Sequence, residues 1–247
     1  MNSIVITGCN RGLGLGLVRA LTKLENPPKH LITTCRSIEK AKELTCIADE
    51  HKNVHVLQFD LHNLTTYDAF AKKVGDIVKD DGLNVLFNNA GVSPKYARIG
   101  LVKAEHMSDT YLTNTIAPVM LTKALLPHLK LAAQKNANKS MGVEKCAIIN
   151  MSSVLGSVDN NQDGGLYPYR CSKAALNMAT KSMSVDLKNF GILATCIHPG
   201  WVKTDMGGKN APLDVETSTE KIVNLLFQLK ETHNGNFYQF DGVQVPW

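Results

Sequence analysis

The chain has 247 residues, 44% hydrophobic and 20% charged, with a net charge of +5. That length suits one α/β domain with a substantial core, and that composition excludes wholesale disorder. The surplus Lys and Arg residues are scattered, so they read as a solvated surface and no nucleic-acid partner is expected.

Along the chain, apolar runs of strand length recur at 3–7, 30–35, 53–59, 83–88, 146–151, 192–198 and 236–240. Segments of helical period lie between most of them: Leu13–Leu24, Ile38–Glu50, Leu64–Lys79, Ser108–Lys135 and Tyr169–Asn189. Continuous apolar strands are buried on both faces, and strand–helix alternation implies right-handed crossovers. The expected fold is α/β, a doubly wound parallel Rossmann sheet of about seven strands with helices on both faces, in a single domain over 1–247. The polar stretch 132–145 reads as an exposed loop. Six cysteines match neither a zinc spacing nor a tight disulfide framework and read as free thiols. No leader and no apolar stretch of about 18 residues is evident, so a cytoplasmic protein without a membrane partner is expected.

The first strand runs into "TGCNRGLGLGLV", where Gly8, Gly12 and Gly14 stand as G-x-x-x-G-x-G. Glycine permits a sharp turn and lets a diphosphate approach the backbone, and the helix that follows offers free N–H groups. A bare strand–helix turn is the alternative, but the position after the first strand favours a nucleotide. The second strand ends in "TTCRS", with no acid to meet a ribose hydroxyl and with Arg36 just beyond it. With Arg11 beside Gly12, two guanidinium groups suit a 2′-phosphate, so NADP(H) is the expected cofactor. Cys9 and Cys35 would lie at the same edge, either as oxidisable thiols or, more simply, as inert half-buried ones.

Five motifs stand in order: "TGCNRGLG", "NNAG" (88–91), "INMSS" (149–153), "YRCSK" (169–173) and "HPGWVKTDM" (198–206). Together they resemble the short-chain dehydrogenases/reductases over the whole chain. The runs "GCNRGLGLGLV", "GLNVLFNNAG" and "GWVKTDMGG" look most like the sniffer-type carbonyl reductases of that family, with C-factor-like proteins more distant.

Two tyrosines, Tyr167 and Tyr169, compete for the chemical role. Side chains four apart share a helical face and side chains six apart do not, so Tyr169 sits with Lys173 and Tyr167 does not. An ammonium beside the phenol would favour the phenolate and make the phenol a usable acid. The resemblance implies that Ser153 bonds the substrate oxygen, with Ser152 its bland neighbour. It implies that Asn114 is a water-holding link in a proton relay through Lys173, which also meets the nicotinamide ribose. It further implies cofactor contacts at Asn10, Leu13, Asp60, Leu61, Asn88, Ala90, Gly91, Pro199, Gly200, Val202 and Thr204. The gap from Ser153 to Tyr169 is a few residues longer than is usual, so the loop "SVDNNQDGG" looks enlarged. His198 has no companions at metal-ligand spacing and reads as a satisfied structural histidine.

The leading reading is an NADPH-dependent carbonyl reductase acting on an aldehyde, ketone or quinone. A nucleotide-binding signalling protein with little turnover is the alternative. An NAD-linked alcohol oxidiser is disfavoured by the missing acid after the second strand. Trp201, Tyr167, Leu155 and Pro94 are candidate apolar pocket liners. Surplus apolar residues on the Ser108–Lys135 and Tyr169–Asn189 helices, with the family habit of pairing them, suggest a homodimer.

Overall fold

Apolar strands separated by amphipathic helices can bury both kinds of element only by stacking in layers, and the chain does so. The computed structural model describes residues 1–247. Its strands are β1 (Ser3–Ile6), β2 (His30–Cys35), β3 (Val54–Gln58), β4 (Val85–Asn88), β5 (Ala147–Met151), β6 (Leu193–His198) and β7 (Phe237–Gln239). They form one sheet in the order β3-β2-β1-β4-β5-β6-β7, every pair parallel. Each strand lies inside its predicted segment. Side chains alternate across the sheet. Ile4 and Ile6 join one core with Leu17, Leu21, Leu44 and Ile222, while Val5 joins the opposite core with Val74, Leu121 and Leu125.

The helices are α1 (Gly12–Thr22), α2 (Lys42–Glu50), α3 (Tyr67–Val78), α4 (Ala104–Tyr111), α5 (Ala117–Lys135), α6 (Tyr167–Asp186) and α7 (Val215–Gln228). The ends of α1, α3 and α6 shift by one to three residues from the sequence reading, and three further differences are larger. α2 starts at Lys42, because Ile38 finds no core to face and stays 41% exposed. The long helix starts at Ala104 rather than Ser108, and residues 112–116 wind it into a π turn between α4 and α5. α7 is outside the predicted helices. Asp214 caps it by accepting from Thr217 N at 2.7 Å, and Ile222, Val223, Leu225 and Leu226 form its buried stripe.

The helix Ala104–Lys135 is long and apolar enough to cross a membrane by length and composition, contrary to the expectation that no such stretch exists. Its apolar side is instead spent on the sheet, where Leu121, Leu125 and Leu129 are fully buried.

Strand order reverses at β1, which has β2 on one side and β4 on the other. Crossovers leave in opposite directions there and open a crevice at the carboxyl ends of the strands. The loops after β1, β4, β5 and β6 all converge on that end.

Candidate active site

The turn after β1 is built from glycine for steric reasons. Gly8 and Gly12 have φ of +71° and +55°, and a Cβ on Gly14 would lie 2.1 Å from the Gly8 carbonyl oxygen. No side chain caps the first turn of α1, and no acid lies in it. Its orphan N–H groups at the crevice, together with the positive dipole end, make a fitting cradle for a diphosphate.

The "NNAG" segment braces this turn. Asn89 Nδ2 donates to Thr7 O at 2.8 Å, and the Asn89 and Ala90 N–H groups donate to Thr7 Oγ1 at 3.1 and 3.0 Å. The expectation that Asn88 faces the ribose is corrected for its side chain. It is 3% exposed and donates 2.8 Å to Asn150 Oδ1, and Asn150 in turn donates to Thr180 Oγ1 at 2.7 Å. A buried amide must find partners, and here they are on β5 and α6. The Ala90 N–H is likewise spent, so only its carbonyl and the Gly91 backbone remain for a ligand.

α6 carries the central pair. Its entry is set by Leu166, held at φ +50°, and by Pro168 in the first turn. Lys173 is buried, and its ammonium donates to Met151 O at 2.7 Å and lies 5.8 Å from the centre of the Tyr169 ring. Burial lowers the Lys173 pKa to about 8, so the ammonium is charged at neutral pH. Burial pushes the Tyr169 phenol above its ordinary value, an effect only partly offset by its hydrogen bond with Ser153. This corrects the expectation of a phenol shifted toward the phenolate. Desolvation is the larger effect here, and it favours the neutral phenol.

The two serines differ in their partners. Ser152 Oγ donates 2.6 Å to Asn177 Oδ1, whereas Ser153 Oγ accepts from Leu155 N at 3.2 Å and keeps its proton for another acceptor. Asn114 sits in the π turn. Its Oδ1 accepts from Val92 N and its Nδ2 donates to Val92 O, both at 2.9 Å, and Nδ2 also donates to Ser172 Oγ at 3.0 Å. Its amide can therefore hold a water only through the second lone pair of Oδ1. A Cβ on Gly91 would lie 3.3 Å from Asn114 Oδ1 and 3.5 Å from Lys173 Nζ, so Gly91, Asn114 and Lys173 meet.

At the rim, Arg36 is exposed and in no ion pair, open to an anion. Arg11 instead pairs with Asp205 of the loop after β6, a contact 194 residues apart that the sequence reading missed. Asp60 accepts from His62 N at 3.0 Å, and Leu61 O accepts from Tyr67. Asn10 and Leu13 are half-buried in the glycine turn. Pro199 O accepts from Ser218 Oγ at 2.6 Å, Gly200 packs on Leu213 and Phe240, and Val202 is buried. Thr204 Oγ1 accepts from Gly207 N at 3.1 Å, and Thr204 is the neighbour nearest to Gly12. Among the candidate liners, Tyr167, Leu155 and Pro94 are half-buried, while Trp201 is 56% exposed and donates to Gly207 O.

All six cysteines are free thiols. Cys9 and Cys35 are buried rather than half-buried, and burial raises the Cys9 thiol to about 12, so neither is a reactive thiolate. His198 also departs from expectation. It is buried, but its Nδ1 has no partner, so it is not a satisfied histidine, and burial lowers its pKa to about 4.

The chain is similar over its full length to the carbonyl reductase Sniffer of D. melanogaster, with 57% identity, 100% of both chains covered and a TM-score of 0.99. It is similar to an NADPH-bound carbonyl reductase from chicken fatty liver, with 40% identity, 100% of this chain and 99% of that one covered, and a TM-score of 0.94. It is 39% identical over 165 residues to the C-signal protein of Myxococcus xanthus, covering 67% of this chain and 93% of that protein. The family model for short chain dehydrogenase matches residues 2–213. The chain belongs to the short-chain dehydrogenase/reductase family.

Proposed function

We propose that the chain is an NADPH-dependent carbonyl reductase for an aldehyde, ketone or quinone, with Tyr169 as general acid. The observation that carries this reading is that Ser153, Tyr169 and Lys173 meet at the crevice beside the uncapped start of α1. The NADPH-bound chicken relative supports the cofactor, and the unpaired Arg36 supports a 2′-phosphate.

When bound, NADPH supplies a hydride to the carbonyl carbon. Tyr169, half-buried with a desolvated phenol that favours the neutral form, gives its proton to the carbonyl oxygen. The Ser153 O–H, which lies against Tyr169, turns to the same oxygen and fixes the plane of the carbonyl. Tyr169 is left as a phenolate, and the Lys173 charge stabilises it in a site with little water. Met151 O holds the ammonium in position, and Gly91, lacking a Cβ, leaves space beside it. Asn114 ties residue 92 to α6 through Ser172 and offers one lone pair to a relay water. Asp60, Leu61, Val202 and Thr204 complete the cofactor contacts of this reading.

Following NADPH oxidation across aldehydes, ketones and quinones tests it. Turnover that prefers NADPH supports it, and tight NADPH binding without turnover on any carbonyl overturns it. That second outcome favours a nucleotide-binding signalling protein, a reading the similarity to C-signal keeps in view.

The same reading includes one cytoplasmic domain over 1–247 acting as a homodimer. Exposed Met178 and Val185 on α6 and Tyr111 on α4 support the pairing surface. Light scattering that found only a 27.0 kDa species at micromolar concentration would contradict it.

A further inference from the structure

The loop 154–166 joins the strand end at Ser153 to α6 at Tyr167, so it walls the carbonyl site. Its beginning is fixed. A Cβ on Gly156 would lie 2.7 Å from Lys173 Cβ, and Asn177 Nδ2 donates to Gly156 O at 3.3 Å. Its far end is fixed too. Leu166 N donates to Ala97 O at 3.1 Å, and Gly165 packs against the Tyr96 ring. Gly164, Gly165 and Leu166 run at φ +63°, +65° and +50°, a left-handed stretch that only firm anchors maintain.

Between these anchors, residues 157–164 make hydrogen bonds outside the loop to one atom only, a main-chain oxygen of Trp247. Ser157 Oγ donates to it at 3.2 Å, Val158 N at 3.1 Å and Asp159 N at 3.3 Å. Their other bonds close on the loop itself, such as Asn160 N to Ser157 Oγ at 3.3 Å and Gly164 N to Asn161 Oδ1 at 3.1 Å. Trp247 is in turn held by the sheet edge. Its indole stacks on Phe237 of β7 with centroids 5.9 Å apart and planes at 23°, and Val245 N donates to Phe237 O at 2.8 Å. Phe237 is buried against Cys196 of β6.

We infer that Trp247 is a positioning residue for the carbonyl substrate: its indole, docked on Phe237, holds its main-chain oxygen where three donors of the 157–159 turn converge, and this clasp sets the width of the site mouth. A tie made only for stability needs no convergence on one acceptor. This tie grips the stretch of the wall that has no other hydrogen bond to the rest of the fold. The substrate part of the inference rests on the reductase reading, but the clasp does not.

The test compares the full chain with Trp247→Ala and Trp247→Phe. Amide exchange at Val158 and Asp159 reads the clasp. Equilibrium binding of an aromatic quinone to the NADP⁺ complex reads the mouth without needing turnover. In Trp247→Ala the two amides should exchange about tenfold faster or more, as for a locally released segment. Quinone affinity should fall about fivefold or more as the wall loses its preorganisation, while NADP⁺ affinity stays within about twofold. Trp247→Phe keeps an aromatic ring for Phe237 and should restore both. Unchanged exchange would overturn the inference. So would faster exchange with unchanged quinone affinity, no quinone binding to the wild-type complex, or a joint loss of quinone and NADP⁺ affinity through general unfolding. Absence of turnover with quinone binding intact would instead count against the reductase reading alone.

Discussion

Lys173 reaches across from α6 to donate a 2.7 Å hydrogen bond to Met151 O, which puts its ammonium 5.8 Å from the centre of the Tyr169 ring. Burial holds its pKa near 8. The ammonium is therefore present below that pH and lost above it. The account predicts that kcat/KM for carbonyl reduction falls as pH rises through about 8, since the charge that stabilises the Tyr169 phenolate disappears. In Lys173→Met the rate should already be low and this limb should vanish from the pH profile. A wild-type profile flat to pH 10 would contradict the assignment.

The two rim arginines should contribute unequally to cofactor choice. Arg36 is free to meet a 2′-phosphate, whereas Arg11 must first give up Asp205. A charge-assisted bond is worth about 1.5–3 kcal/mol, so Arg36→Asp should weaken NADPH binding by about 10- to 100-fold. NADH binding should change little, and Arg11→Ala should have the smaller effect. Calorimetric titration of both cofactors decides this, and equal wild-type affinities would refute the argument from the missing acid after β2.

His198 makes acid stability a test of the fold around β6. Its folded pKa is about 4, lowered by burial and only partly raised by Asp241. The ordinary value is near 6.5. Between these values the unfolded chain binds more protons, so stability rises with pH across this window and is lost as pH falls through it. By pH 5 the loss should be about 2 kcal/mol. Urea unfolding at pH 7 and pH 5 should show a smaller drop for His198→Gln than for the wild type. Equal drops would mean that the imidazole is already solvated in the native state.

The strands were legible because sheets covered on both faces leave unbroken apolar runs, and each strand falls inside its predicted run. Tyr169 and Lys173 were legible because four-residue spacing on a helix is a geometric fact. What the sequence hid are partners that only folding brings near. Asn88 meets Asn150 across 62 residues, Arg11 meets Asp205 across 194, and Ser157 meets Trp247 across 90. Burial was hidden too. Spacing places the lysine beside the phenol but does not show how far the phenol is desolvated, and desolvation shifts Tyr169 opposite to the expected direction. The signal for α7 was present in Asp214 and Thr217, a side-chain cap three residues apart ahead of an apolar stripe.

The central claim is that Tyr169 gives the proton and Tyr167 does not. Single-turnover reduction of an active carbonyl under saturating NADPH, compared between Tyr169→Phe and Tyr167→Phe, measures it directly. Both changes keep the ring and remove one hydroxyl. The account predicts that Tyr169→Phe slows the chemical step by about 10²–10⁴, the usual worth of a general acid, with NADPH affinity retained. Tyr167→Phe should leave that step near wild type and shift only KM by a small factor. A dead Tyr167→Phe enzyme beside an active Tyr169→Phe enzyme would contradict the account.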